Sequence, residues 1–268
     1  MRRPRVIVFV LIAALVTGLC YWRWGVKRWS GITVDRHNVA DGIELAICEF
    51  EHPDRGQVTI YLVKASFKAA DFKIDFSGPD QAVIRPDFIA TGRGQQAAAM
   101  VNGGYFDASF QPVGLVVKDG QTISEMSNQP ALSGVLAVFD SNDLLLIPRS
   151  KYRADSLIRS AIQAGPFIVD PGGKMGIRSD DLKRAKRTAV GQTNADEVVF
   201  ISTTACTLYE FSEILTEHYE TFDVTGFDRV LNLDGGPSTG FYLHDLEKHQ
   251  AVPETEIPNR VLMLKRRR

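Results

Sequence analysis

Cysteine is scarce in this chain, with 3 in 268 residues, and only Cys48 and Cys206 lie in its body. No Cys-x-x-Cys pair, no Cys/His spacing of a zinc finger or ribbon and no His-x-x-x-His run occurs. The two body cysteines leave two states open, one disulfide or two buried thiols. A basic footprint is lacking as well. The formal net charge is -1, but six Lys/Arg and no acid fall in residues 1–29, and Lys265 to Arg268 close the chain. The remaining 21 basic residues face 32 acidic ones. A body that acidic argues against non-specific nucleic-acid binding, which rests on a basic surface. Internal repeats are missing, and so is a second linker. At 44% hydrophobic and 24% charged, with 22 Gly and 12 Pro, the composition excludes collagen, coiled coil and wholesale disorder.

One long apolar run is present. Val6 to Trp22 is interrupted only by Thr17 and Gly18. As a helix it spans about 25 Å, close to the lower limit for crossing a bilayer. Arg2, Arg3 and Arg5 precede it, and no small-x-small cleavage site separates it from Trp22, Trp24 and Trp29. The expectation is an uncleaved signal anchor over residues 1–29, with the aromatic residues in an interfacial belt. A linker over 30–39 and a single domain over 40–268 follow. The protein is then a single-pass membrane protein with its domain outside the cytoplasm, periplasmic or extracellular, or a secreted one if the segment is cleaved.

Apolar runs ending in turn signals predict strands at Gly42–Phe50, Val58–Lys64, Ala97–Asn102, Arg187–Val190, Glu197–Thr203, Arg229–Leu233 and Arg260–Leu264. Val113–Lys118 with Gln121–Ser124, and Gly134–Phe139 with Leu144–Pro148, read as hairpins. Helical spacing marks Pro86–Gly94, Asp155–Gln163 and Leu208–His218. Many strands and few helices predict an α+β fold, one domain on a largely antiparallel or mixed sheet, preceded by the N-terminal transmembrane or signal helix.

Four segments each join a strand to a Gly-rich or polar turn: Val101 to Asp107, Ala161 to Pro166, Arg187 to Gly191 and Asn232 to Phe241. Paired glycines tolerate positive φ and let consecutive N–H groups face an anion. In order, the motifs VNGGYF, AIQAGPFIV, RTAVGQT and NLDGGPSTGFYL, with the closing IPNRVLML, resemble the phosphodiester glycosidase family. That family includes an enzyme that removes N-acetylglucosamine from phosphate diesters, and bacterial relatives labelled exopolysaccharide-biosynthesis-like. The resemblance covers roughly residues 40–265. Pro237 stands where the family's run has a glycine, and it removes one backbone donor.

The resemblance implies hydrolysis of a sugar–phosphate diester at the sugar side. Such chemistry needs a grip on the phosphate, assigned to Arg187 with Thr188 and the Gly103 and Gly104 amides. It also needs a carboxylate at the anomeric centre, with Asp234 first and Asp107 second. Asn102 and Asn232 are candidates for sugar hydroxyls, and Tyr105 and Phe106 for stacking on the sugar. Gln163, Gly165, Gly235, Gly236, Ser238 and Thr239 complete the binding candidates. No cofactor is called for, although Asp234 and neighbouring carbonyls are compatible with a divalent cation. The implied partners are a glycan phosphodiester and a membrane, without nucleic acid. Homo-oligomerisation is left open.

Two rival readings stand beside this one. Gly236 to Gly240 formally matches Gly-x-Ser-x-Gly, which places Ser238 as a hydrolase nucleophile if a strand, a sharp turn and a helix follow in order. A non-catalytic envelope domain that only binds glycan is the other.

Overall fold

The computed structural model describes residues 28–76 and 85–266. In chain order the elements are β1 (Ser30–Ala40), β2 (Ile43–His52), β3 (Gly56–Ser66), β4 (Ala70–Phe76), α1 (Arg85–Gly94), β5 (Ala97–Asn102), β6 (Val116–Lys118), β7 (Gln121–Ser124), β8 (Gly134–Phe139) and β9 (Leu144–Pro148). They continue as β10 (Ile158–Ala164), β11 (Phe167–Asp170), β12 (Lys174–Met175), β13 (Thr188–Thr193), β14 (Glu197–Thr203), α2 (Leu208–Glu217), β15 (Phe227–Asn232), β16 (Phe241–Leu243) and β17 (Asn259–Lys265). Three sheets result, of eight strands (β1-β2-β3-β14-β13-β15-β11-β12), five (β7-β6-β10-β8-β9) and four (β16-β5-β17-β4). The strand pairings among the described residues are antiparallel. The architecture is thus one mostly antiparallel β domain with two helices.

The eight-stranded sheet is covered on both faces. Side chains alternate along a strand, so Val198 and Phe200 of β14 enter a central core that the other two sheets share. Val199 and Ile201 enter a second core under α2, with Phe211, Ile214 and Leu215. Helix α2 begins at a capping box in which Thr207 and Glu210 satisfy each other's backbone N–H. Helix α1 covers the outer face of the four-stranded sheet, where Phe88 packs with Met100, Tyr242 and Leu262. Full burial of one such Phe is worth about 1.5–3 kcal/mol.

The turn chemistry predicted for the first hairpin is present. Asp119 and Gly120 both take positive φ, at 50° and 76°, as a two-residue turn with right-handed strand twist requires. Two expectations are corrected, and the state of the cysteines, left open, is resolved. Residues 155–163 are not a helix. Asp155 caps a turn through the Leu157 amide at 2.9 Å, and Ile158–Ala164 is β10, central in the five-stranded sheet. All but Arg159 of β10 are buried, and a strand buried on both faces has no alternation to distinguish it from a helix. Residues 30–39 are not a linker but most of β1, paired along its length with β2. Cys48 and Cys206 are buried free thiols.

The signal anchor placed over 1–29 lies outside the described residues except for Arg28 and Trp29. Trp29 is 4% exposed in the core under α2 and donates its Nε1–H to Glu213 Oε2 at 2.9 Å, so it is no part of an interfacial belt. Among the described residues no helix is long and apolar enough to cross a membrane.

Candidate active site

The motif-bearing turns meet because antiparallel register brings their strand ends together. Ala189 near the start of β13 lies opposite Asn232 at the end of β15. Asn102 at the end of β5 lies opposite Arg260 near the start of β17. Backbone bonds then join the turns, with Asp234 N–H donating to Gly103 O at 3.1 Å, Leu233 N–H to Thr188 O at 2.8 Å and Gly236 N–H to Lys186 O at 2.8 Å.

Most of the polar motif residues are consumed in holding this frame. Asn102 is 1% exposed. Its Oδ1 accepts from Thr188 Oγ1 at 2.7 Å and from the Gly240 amide at 3.0 Å, and its Nδ2 donates to Asp234 O at 2.8 Å. Thr188 is fully buried. The Gly103 and Gly104 amides donate to the main-chain and side-chain oxygens of Asn259, at 2.9 and 2.7 Å. Gln163 accepts from the Leu115 and Ser127 amides at 3.0 and 2.8 Å, and donates to Ser127 O and Leu132 O at 2.8 and 2.9 Å. Tyr105 donates its hydroxyl to Gly165 O at 2.7 Å and accepts from Asn232 Nδ2 at 2.6 Å. Asn102, Thr188, Gly103, Gly104, Gln163, Gly165 and Tyr105 are thus all hydrogen-bonded within the frame. Asn232 is divided. Its Nδ2 is spent, while its buried Oδ1 has no hydrogen-bond partner among the described residues.

Phe106 is not a free platform either, because it stacks on Phe110 with centroids 5.5 Å apart and planes at 20°. Asp107 lies outside the cluster. It is exposed, and its Oδ1 accepts from the Ser109 and Gln111 amides at 2.8 and 3.0 Å, which is an Asx turn. Asn259 is the framing residue that the sequence reading passed over. Its signal was the Asn that opens the last strand in IPNRVLML.

Two side chains remain uncommitted. Arg187 Nε donates to Cys206 O at 3.0 Å and Nη2 to Lys183 O at 2.5 Å. Neither acceptor is a carboxylate, and Arg187 has no acidic partner among the described residues. The two carbonyls fix the guanidinium plane and leave Nη1 free, out of five donors in all. Asp234 is half-buried. Burial pushes its carboxyl up from 3.8, opposed by hydrogen bonds from the Ser238 hydroxyl and the Gly235 amide. Gly235 N–H reaches Asp234 Oδ1 at 2.9 Å.

The two side chains share one neighbourhood. A Cβ placed on Gly235 would lie 3.9 Å from Arg187 Cδ and 2.8 Å from Lys186 O, so only glycine lets the chain bearing Asp234 pass this close. The Tyr105 hydroxyl senses both. Burial raises its pKa, the Asp234 charge raises it further, and the Asn232 hydrogen bond and the Arg187 charge lower it.

Gly236 to Ser238 form a single 3-10 turn with Pro237 in its first positions, where a missing N–H costs nothing. Gly236, at φ 59°, adopts the left-handed conformation that the turn needs. A strand, β16, follows in place of a helix, and the Ser238 hydroxyl is bound to Asp234. That is not a nucleophile elbow. Thr239 is buried and its Oγ1 has no hydrogen-bond partner among the described residues.

A family model described as phosphodiester glycosidase matches residues 95–263, a span that holds every residue of this cluster. Among solved structures, a hypothetical protein from Synechocystis superposes with a TM-score of 0.64 at 14% identity, over 87% of this chain and 64% of that one. The chain thus spans just under two thirds of that protein's length. The zebrafish N-acetylglucosamine-1-phosphodiester alpha-N-acetylglucosaminidase catalytic domain, auto-inhibited by its pro-peptide, superposes with a TM-score of 0.55 at 14% identity, over 90% of this chain and 84% of that one. At these identities the likeness is one of fold. Among curated proteins none matches.

Proposed function

Because the chain belongs to the phosphodiester glycosidase family, we propose that it hydrolyses a sugar-1-phosphodiester on the sugar side, releasing free sugar and a phosphomonoester. The observation that carries this reading is a guanidinium oriented by carbonyls, without a carboxylate partner among the described residues, on a side chain that passes beside Gly235, the chain neighbour of half-buried Asp234. Arg149 and Arg153 are likewise held by carbonyls, whereas other arginines are ion-paired. Arg184, for example, donates from Nη1 to both carboxylate oxygens of Glu210, at 2.6 and 2.8 Å. An arginine held in place but left electrically unanswered is suited to an anion that arrives from outside.

In this reading Arg187 grips the phosphate. The C1–O bond breaks, and its electron pair goes to the phosphate oxygen. Asp234 faces the oxocarbenium-like centre and takes the proton of the water whose oxygen bonds to C1. Phosphate leaves as a stable anion that Arg187 neutralises, so a second carboxylic acid is dispensable. Asp107, held in its own turn, is given no part. Asn232 Oδ1 is available to a substrate hydroxyl, and Ser238 positions Asp234.

The setting belongs to the same proposal. The run Val6–Trp22 and its flanking charges support a domain held at a membrane outside the cytoplasm, or secreted after cleavage. Phosphodiester-linked envelope glycans and exopolysaccharides are the matching substrate class.

The test is incubation of the full chain with a panel of sugar-1-phosphodiesters in ¹⁸O-water, with and without a chelator. The expected products are ¹⁸O-labelled sugar and unlabelled phosphomonoester. Label in the phosphate would mean cleavage at phosphorus, and binding without turnover would mean a glycan-binding module. Either result overturns the proposal.

A further inference from the structure

At the edge of the eight-stranded sheet, Asp35 and His37 stand two residues apart on β1 and so project from the same face. His37 Nε2 lies 2.9 Å from Asp35 Oδ2. His249, which ends the short 3-10 turn Glu247–His249, brings its ring centroid to 5.2 Å from that of His37. One donor atom from each of the three residues lies within 4.8 Å of the other two. None of them takes part in the Arg187–Asp234 cluster. We propose that Asp35, His37 and His249 form a binding site for one divalent transition-metal ion, with zinc the best match. The ion ties the edge of the eight-stranded sheet to the segment that pairs back onto β16 through Phe241 and Ala251.

The donor set decides the class of metal. Two imidazoles and one carboxylate suit zinc and its first-row neighbours, whereas calcium and magnesium take oxygen ligands. Tetrahedral zinc with 2.0–2.1 Å bonds spaces its ligand atoms about 3.3 Å apart. The Asp35–His37 pair is already that close, and His249 completes the triad by a modest side-chain rotation. The Asp35 side chain is 58% exposed, which leaves the fourth position open to water.

His249 also carries an independent sign of a missing partner, since its Nε2 is buried and without a hydrogen-bond partner among the described residues. The Lys248 ammonium acts on both Asp35 and His249 and opposes a second cation. Its removal tightens the site.

Binding of Zn²⁺ to the full chain, measured by isothermal titration with Co²⁺ absorption as a second readout, tests this without reference to activity. The expected result is one ion per chain and a higher melting temperature in its presence. Asp35→Asn and His249→Ala each weaken binding at least about tenfold and abolish the thermal shift. Lys248→Ala strengthens binding, and His244→Ala, at an exposed histidine outside the triad, leaves it unchanged. Asp35→Asn is an exposed change and retains the fold, as circular dichroism would verify. No binding by the wild type, or binding in Asp35→Asn and His249→Ala as tight as in the wild type, overturns the proposal, the second outcome marking any bound zinc as adventitious.

Discussion

The polar residues of the motif turns fall into two regions that behave in opposite ways. Asn102, Gln163, Tyr105 and Asn259 form a frame in which buried donors and acceptors are matched against backbone groups. Arg187 and Asp234 sit on that frame with capacity left over. A buried polar group without a partner costs about 1–3 kcal/mol, so the frame is matched for stability. The Arg187–Asp234 region forgoes that matching. In the proposed reading the difference separates residues that build the site from those that act in it, although both groups are written in the same Gly- and Asn-rich motifs.

Substitutions can break this contrast. The largest effect is expected from Asp234→Asn, which lowers sugar release about a thousandfold, within the range of positioned acid–base groups, while the fold survives. The stability of the same variant sharpens the point. Asp234 has its pKa raised from 3.8 by burial, so the native state holds this proton more tightly than the unfolded chain does. Stability therefore falls as pH rises from 3.8 through the native value, and the cost is fully present above it. Asp234→Asn removes the cost and melts above the wild type at pH 7, with the gap closing below pH 3.8. A lower melting temperature at neutral pH would return Asp234 to the frame.

Gln163→Ala should do the reverse. It strands the Leu115 and Ser127 amides, costing roughly 3–5 kcal/mol and about 10 °C of melting temperature. The KM of the surviving folded enzyme should not change, and a change would make Gln163 a ligand contact. Arg187→Ala weakens phosphodiester binding about 10- to 100-fold, the worth of charge-assisted hydrogen bonds, and leaves free-sugar binding alone. Equal losses for both ligands would remove Arg187 from the phosphate. The smallest effect is that of Ser238→Ala. Loss of its hydrogen bond lets the Asp234 pKa rise further, so the acidic limb of the kcat/KM profile moves to higher pH. A profile that stays in place would dissociate Ser238 from Asp234.

Much of this arrangement was legible in the sequence. The strands around Ala97–Asn102, Glu197–Thr203 and Arg229–Leu233 announce themselves by apolar runs with Gly, Asn or Asp at one end, and the Asp119-Gly120 hairpin by its turn pair. That Arg187 and Asp234 belong to one site was implied by the resemblance, since no local pattern relates the residue before β13 to one just past the end of β15 before the strands' register is known. β10 was misread because burial on both faces erases the alternation that marks a strand. β1 was read as a linker because its polar residues, Asp35 to Asn38, lie on an edge strand with few buried side chains. The division between frame and acting pair was invisible. Asn102, Gln163 and Asp234 are equally polar in one dimension, and only three-dimensional accounting shows which of them have their partners inside the protein.

The most direct measurement is kcat on one cleaved sugar-1-phosphodiester for Asp234→Asn beside Asp107→Asn. The account predicts that the first variant falls by about a thousandfold and the second retains wild-type turnover. Loss of turnover in Asp107→Asn, with Asp234→Asn active, would contradict it.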